Sequence, residues 1–126
     1  MWISATSPAS HLFFNCAKIL PLWWESMSWL NSVGVSPDTP RAHFLQHSYC
    51  IVEDINIQRW QTWWISLTWC IWHHRNRIIF SNDSFNAYKL MGGALLLCWT
   101  WFKNLEKGFH TRFHSWSSNI REGFCV

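Results

Sequence analysis

"VEDINIQRWQTWWISLTWCIWHHRNRIIF", Val52 to Phe80, is the stretch that decides the fold. Trp60, Trp64, Leu67, Ile71, His74 and Ile78 recur at steps of three and four, the repeat of one helix face rather than the alternation of a strand. Trp63, Cys70 and Arg77 add a second row beside them. A helix apolar on most of its sides belongs at the centre of a domain. The spacing therefore predicts a helix over Ile57–Phe80 as the most buried element. Trp60, Trp64, Leu67 and Ile71 are expected to face the last helix at Leu90, Leu97 and Trp101.

Working outward, "SNDS" (Ser81 to Ser84) supplies a turn and a fresh N-cap. The helix after it is expected from Phe85 to about Phe109, with Leu90, Ala94, Leu97, Trp101 and Leu105 on one face. Gly92 and Gly93 weaken its middle by about 1 kcal/mol each relative to Ala, which a close helix crossing would explain. Residues 110–126 have weak periodicity and read as a tail. Upstream, Arg41 to Cys50 reads as a short helix, capped by Thr39 with Pro40 at its first position. "NSVGVSPDTP" (Asn31 to Pro40) is a loop by its glycine and prolines. Before it, apolar residues from Leu12 to Leu30 keep helical spacing from an N-cap at Ser10. Pro21, which lacks an N–H, is expected to kink or split that helix. Residues 1–9 are an irregular or disordered lead. With no strand alternation and no internal repeat, the chain reads as all-α: a small Trp-rich bundle of three or four helices, its helical domain over residues 10–109.

Composition bounds the rest. A chain of 126 residues is one domain's worth. Hydrophobic residues make up 49% and charged residues 13%, too apolar for a disordered chain. Twelve tryptophans require either a dense aromatic core or an exposed adhesive surface. The net charge of +3 permits nucleic-acid contact without demanding it. Five scattered cysteines, with no signal peptide ahead of them, read as reduced thiols of an intracellular protein of nucleus or cytoplasm. The longest apolar run, Leu90 to Phe102, falls short of the roughly 20 residues of a membrane span.

Four stretches carry a resemblance: "SHLFFNCAKILPLWW" (Ser10 to Trp24), "CIWHHRNRIIF" (Cys70 to Phe80), "LLLCWTWFKNLEKGF" (Leu95 to Phe109) and "WSSNIREGF" (Trp116 to Phe124). Together they resemble the reverse transcriptase zinc-binding domain found at the carboxyl end of plant non-LTR retrotransposon polyproteins. That family's zinc motif reads C-x2-C, then about eight residues, then H-x4-C. His11 and Cys16 match its second half. The first half would fall around residue 2 and before residue 1, where Trp2 stands and the chain begins. The resemblance thus implies a C-terminal fragment with half a zinc site and without the polymerase's catalytic carboxylates.

Structural zinc is tetrahedral and takes four nitrogen or sulfur ligands. His11 and Cys16 alone are not expected to hold it tightly, so zinc requires ligands from outside the chain or from elsewhere in it. His43, His47 and Cys50 share one helix face and are the candidates within it; the alternative is surface histidines and a small core cysteine. His110 and His114 repeat the same spacing. "HHRNR" (His73 to Arg77) is the sharpest basic cluster, and Arg75 and Arg77 are its candidate phosphate contacts, with Arg59, Lys103, Lys107 and Arg112 as an extension. Two residues apart on a helix, Arg75 and Arg77 point about 200° from each other, so one of them is expected to serve. The same cations could instead oppose helix dipoles. No phosphate loop, nucleophile elbow or H-E-x-x-H is present, and the acids are scattered, so no enzyme and no small-molecule substrate is expected. The expected function is a non-catalytic, retroelement-derived module with weak nucleic-acid contact. The alternatives are a Trp-rich interaction protein, self-associating or lying on a membrane surface, and a chain with no selected function.

Overall fold

The computed structural model describes residues 16–29, 41–44 and 55–125. Contacts divide the chain into two compact units, Met1–Ile51 and Val52–Val126. The boundary thus lies inside the expected 10–109 domain, and the expected tail belongs to the second unit. All regular structure among the described residues is helical, with one isolated antiparallel bridge between Ile55 and Cys125.

In the first unit, α1 spans Leu20–Ser28, and Pro21 lies in its first turn. A proline there sacrifices no intrahelical bond, because the first N–H groups of a helix have no acceptor. Pro21 therefore sits at the start of a helix rather than at a kink within α1, and residues 11–15, where the other piece of a split helix is expected, lie outside the described residues. Leu22, Trp23 and Ser26 are buried, and the Ser26 hydroxyl donates to Leu22 O at 2.9 Å. Residues 41–44 are helical, as expected after Pro40. The Ser10 cap, the loop at 31–40 and residues 45–50 lie outside the described residues.

The second unit is built on an antiparallel pair, α2 (Ile57–Ser81) and α3 (Ala87–Leu105). Asparagines open both helices. Asn56 Oδ1 accepts from Arg59 N–H at 3.2 Å, and Asn86 Oδ1 accepts from Lys89 N–H at 3.0 Å, each satisfying one of the orphan donors of a first turn. α2 stops at Asn82, whose φ of 54° puts it in the left-handed region that asparagine tolerates. Only residues 82–86 separate the helices, so they fold back on each other.

Trp60, Trp63, Leu67 and Ile71 are buried on α2 as the central-helix reading requires, with Trp63 taking the place expected for the half-buried Trp64. The opposite face does not follow that reading. Ile65, Trp69, Trp72, Ile79 and Phe80 are exposed, Phe80 by 80%. On α3 the buried row is Leu90, Ala94, Cys98 and Phe102, together with Met91. Leu90 and Ala94 match expectation; Leu97 and Trp101 are only half-buried, and Leu105 is 73% exposed. Because Leu95 to Phe102 is apolar all round except at Thr100, the sequence period cannot select a face; the packing partners do. Gly92 and Gly93 mark no close crossing: both are exposed, and a Cβ on either would meet nothing within 4 Å.

α2 is the main partner of α3's inner face, and residues 106–125 complete it at the far end. α4 (Phe113–Ser118) and α5 (Ile120–Gly123) are too short to show a period. They nevertheless bury Trp116 and place Phe124 in the core. The Phe124 ring meets Trp60 edge-on at 5.1 Å, Trp116 at 5.8 Å and Phe102 at 6.1 Å. Gly123 admits no side chain, since a Cβ there would run into the Trp116 indole. Asn56 N–H donates to Phe124 O at 2.7 Å, tying the C-terminal segment to the start of α2. Six helical stretches lie among the described residues, two in the first unit (α1 and residues 41–44) and four in the second, where the short pair α4 and α5 is the addition to the expected count.

Candidate nucleic-acid interface

The sequence candidates land in different places. His11 lies outside the described residues, as do His47 and Cys50. Cys16 is half-buried at a bend before α1, where its carbonyl accepts from Ile19 N–H and Leu20 N–H at 2.9 and 2.8 Å. His43 is buried edge-on against Trp23, ring centroids 4.5 Å apart. Burial there lowers its pKa from 6.5 to about 4, which keeps the imidazole neutral. Among the described residues, no group of three or more His, Cys, Asp or Glu side chains could hold a metal ion. No helix among them is long and apolar enough to cross a membrane.

The two arginines of "HHRNR" separate as the helix period requires. Arg75 is half-buried; Arg77 is exposed and lines a groove of about 420 Å³ between α2 and α3. The antiparallel pairing brings Lys89, in the first turn of α3, to the same groove as Arg77. Its floor is Cys70, Leu90, Gly93 and Leu97. Trp69 and His73 form its aromatic wall, their rings 4.3 Å apart and steeply inclined. Trp69 is 53% exposed, and Trp72 adds a third ring 5.0 Å from His73.

Below Arg77, the buried His74 joins the two helices. Its Nε2 accepts from Asn86 N–H at 3.2 Å, so the neutral ring carries its proton on Nδ1. Burial lowers the His74 pKa first, Arg77 and Lys89 lower it further, and Asp83 opposes them. Burial raises the Cys70 thiol, partly offset by Arg77, and raises the Cys98 thiol as well. Both stay protonated at neutral pH, and neither is poised as a nucleophile.

A second groove, about 600 Å³, opens at the far end of α3. Lys103, Lys107 and Arg112 bring cations to it, His110 lines it beside them, and Trp99 and Phe113 line it with rings 5.8 Å apart. Lys103 Nζ sits 5.1 Å from the Trp99 ring centroid, while Trp99 Nε1 donates to Thr111 O at 2.8 Å. Glu106 also lines this groove, but Arg59 engages it: Nε and Nη2 reach its carboxylate at 2.9 Å each. Arg59 is thereby removed from the basic patch the sequence suggested and becomes a structural cation. His114 is exposed and lines neither groove.

Lys89, Trp69 and Trp99 line the two candidate grooves and were not singled out in the sequence. For Lys89 a signal existed: a short link between two helices sets the end of one beside the start of the next. No family model, no curated protein and no solved structure matches this chain.

Proposed function

We propose that this chain is a non-catalytic module that binds single-stranded nucleic acid weakly, acting inside the cell, in keeping with its motif resemblance to retroelement zinc-binding domains. One observation carries the reading: Arg77 and Lys89 share a groove with the exposed aromatic wall of Trp69 and His73. Guanidinium and ammonium groups neutralise phosphates and release counterions. A base with no duplex partner can stack on the open indole of Trp69, which needs no sequence match. No residue is asked to make or break a bond.

The test is binding of a labelled single-stranded oligonucleotide across a salt series. Arg77→Ala and Lys89→Ala should each weaken binding at low salt and flatten the slope of log K against log salt by about 0.7. Trp69→Ala should cost roughly 1–3 kcal/mol with little change in that slope. Arg75→Ala should bind as the parent does. Absence of binding at low salt, or equal binding by Arg77→Ala and the parent, would remove the reading.

A second reading rests on a different observation. Ile65, Trp69, Trp72, Ile79 and Phe80 leave an exposed apolar face on α2, and such a face favours self-association or contact with a membrane surface. Sedimentation of the parent against Trp72→Ser with Phe80→Ser tests it: unchanged monomers in both, with no binding to lipid vesicles, would dismiss it.

A further inference from the structure

We infer that a single strand long enough to leave the α2/α3 groove continues across the outer face of α3 to the Lys103–Arg112 groove, so that the two grooves are the ends of one track. This inference rests on the nucleic-acid reading above.

Lys89 and Lys103 are fourteen positions apart on one helix. At 100° per residue they return to within about 40° of the same face, about 21 Å apart along the axis. Leu96 is midway between them and shares that face, 49% exposed. Gly92 and Gly93 present bare backbone beside it, with no atom within 4 Å of where their side chains would start. The Thr100 hydroxyl turns back to Leu96 O at 2.8 Å. The ridge between the grooves is therefore low.

It also carries no negative charge. α3, Ala87–Leu105, contains no Asp or Glu. The first acid beyond it, Glu106, is held by Arg59. A polyanion crossing from Arg77 and Lys89 to Lys103, Lys107 and Arg112 meets cations at both ends and no like charge along the helix. The ends differ in kind. Trp69 offers an open indole for stacking, whereas Lys103 already sits over the Trp99 ring and the Trp99 N–H is used by Thr111 O. The far groove thus contributes charge and the near groove contributes stacking and charge together.

Strand length separates this inference from the reading it rests on. A trinucleotide cannot span about 21 Å, while a dodecanucleotide exceeds it even at the roughly 3.4 Å spacing of a stacked strand. The full chain is titrated with both lengths by fluorescence anisotropy, with helicity and melting of each variant checked by circular dichroism. Lys103→Gln with Arg112→Gln should weaken dodecamer binding about tenfold at low salt. It should flatten the salt slope by about 1.4 and leave the trinucleotide unchanged. Leu96→Glu, at an exposed position away from both lysines, should weaken the dodecamer alone, and Leu96→Gln should not. Parental dodecamer affinity in Lys103→Gln with Arg112→Gln, while Arg77→Ala still weakens both lengths, overturns the track and leaves the near groove standing. Equal loss for both lengths in the double variant also overturns it, because it describes one compact site. No binding of either length by the parent overturns the track and the nucleic-acid reading together.

Discussion

Arg59 organises the end of the second unit through all three nitrogens of its guanidinium. Nε and Nη2 grip Glu106, Nη1 donates to Gly123 O at 3.2 Å and to Cys125 O at 3.4 Å, and the guanidinium carbon lies 5.5 and 5.3 Å from the ring centroids of Phe102 and Phe109. Removing it leaves Glu106 two-thirds buried without its cation, takes the Arg59 donor from Cys125 O, and leaves Gly123 O to the Trp116 indole N–H alone. Arg59→Ala should therefore cost roughly 2–4 kcal/mol in urea unfolding followed by circular dichroism. Arg59→Lys should recover less than half of that, because an ammonium cannot reproduce the planar fork. His43 makes the complementary case for a neutral group. Its pKa is 6.5 in an unfolded chain and about 4 in the fold. Between those values the unfolded state binds a proton that the folded state refuses, so stability falls as pH drops from about 6.5 towards about 4, and the penalty is absent above 6.5. Comparing urea midpoints at pH 7.5 and pH 5, the parent should lose more than His43→Leu, which has no proton to take up; equal losses would show that His43 is solvated.

At the scale of elements, α2 and α3 differ in how well their sequences describe them. α2 is the better described: its period and its length agree, its inner face is misread only by the one-residue rotation from Trp64 to Trp63, and its departure is the outer face, where Ile65, Trp69, Trp72, Ile79 and Phe80 are exposed. α3 has the weaker pattern, since almost every residue from Leu95 to Phe102 could face a core. Its glycines illustrate the difference between a local cost and a tertiary reason. Gly92 and Gly93 lower helix stability, yet no neighbour requires them to be small. Gly92→Ala and Gly93→Ala should each raise stability, by up to about 1 kcal/mol, measured by thermal unfolding. A loss on either substitution would mean that something packs against that backbone.

For the whole molecule, the modest +3 charge matters less than its arrangement. Asp83, Glu106 and Glu122 are interspersed with the cations of the second unit, and Arg59 spends its charge on Glu106, so polyanion binding should be weak and steeply salt-dependent. Zinc is the second property of the whole chain. Two ligands, His11 and Cys16, do not fill a tetrahedral site, and the His43 ring is buried against Trp23. Metal analysis of the purified chain should find well under one zinc per molecule; one tightly bound zinc, lost on Cys16→Ala, would overturn this.

By itself the sequence determined that the chain is helical, where α2 lies, that Pro40 precedes a helix, and that Arg75 and Arg77 cannot act together. Each of these follows from interactions within four residues along the chain, so a local pattern is enough to specify it. Only the tertiary structure decided that Cys98 and Phe102, rather than Leu97 and Trp101, join Leu90 and Ala94 on the inner face of α3, and that Trp116 and Phe124 complete the core. Those outcomes depend on residues tens of positions apart meeting through packing. The period of an all-apolar helix, or of helices as short as α4 and α5, carries no information about which partner will arrive.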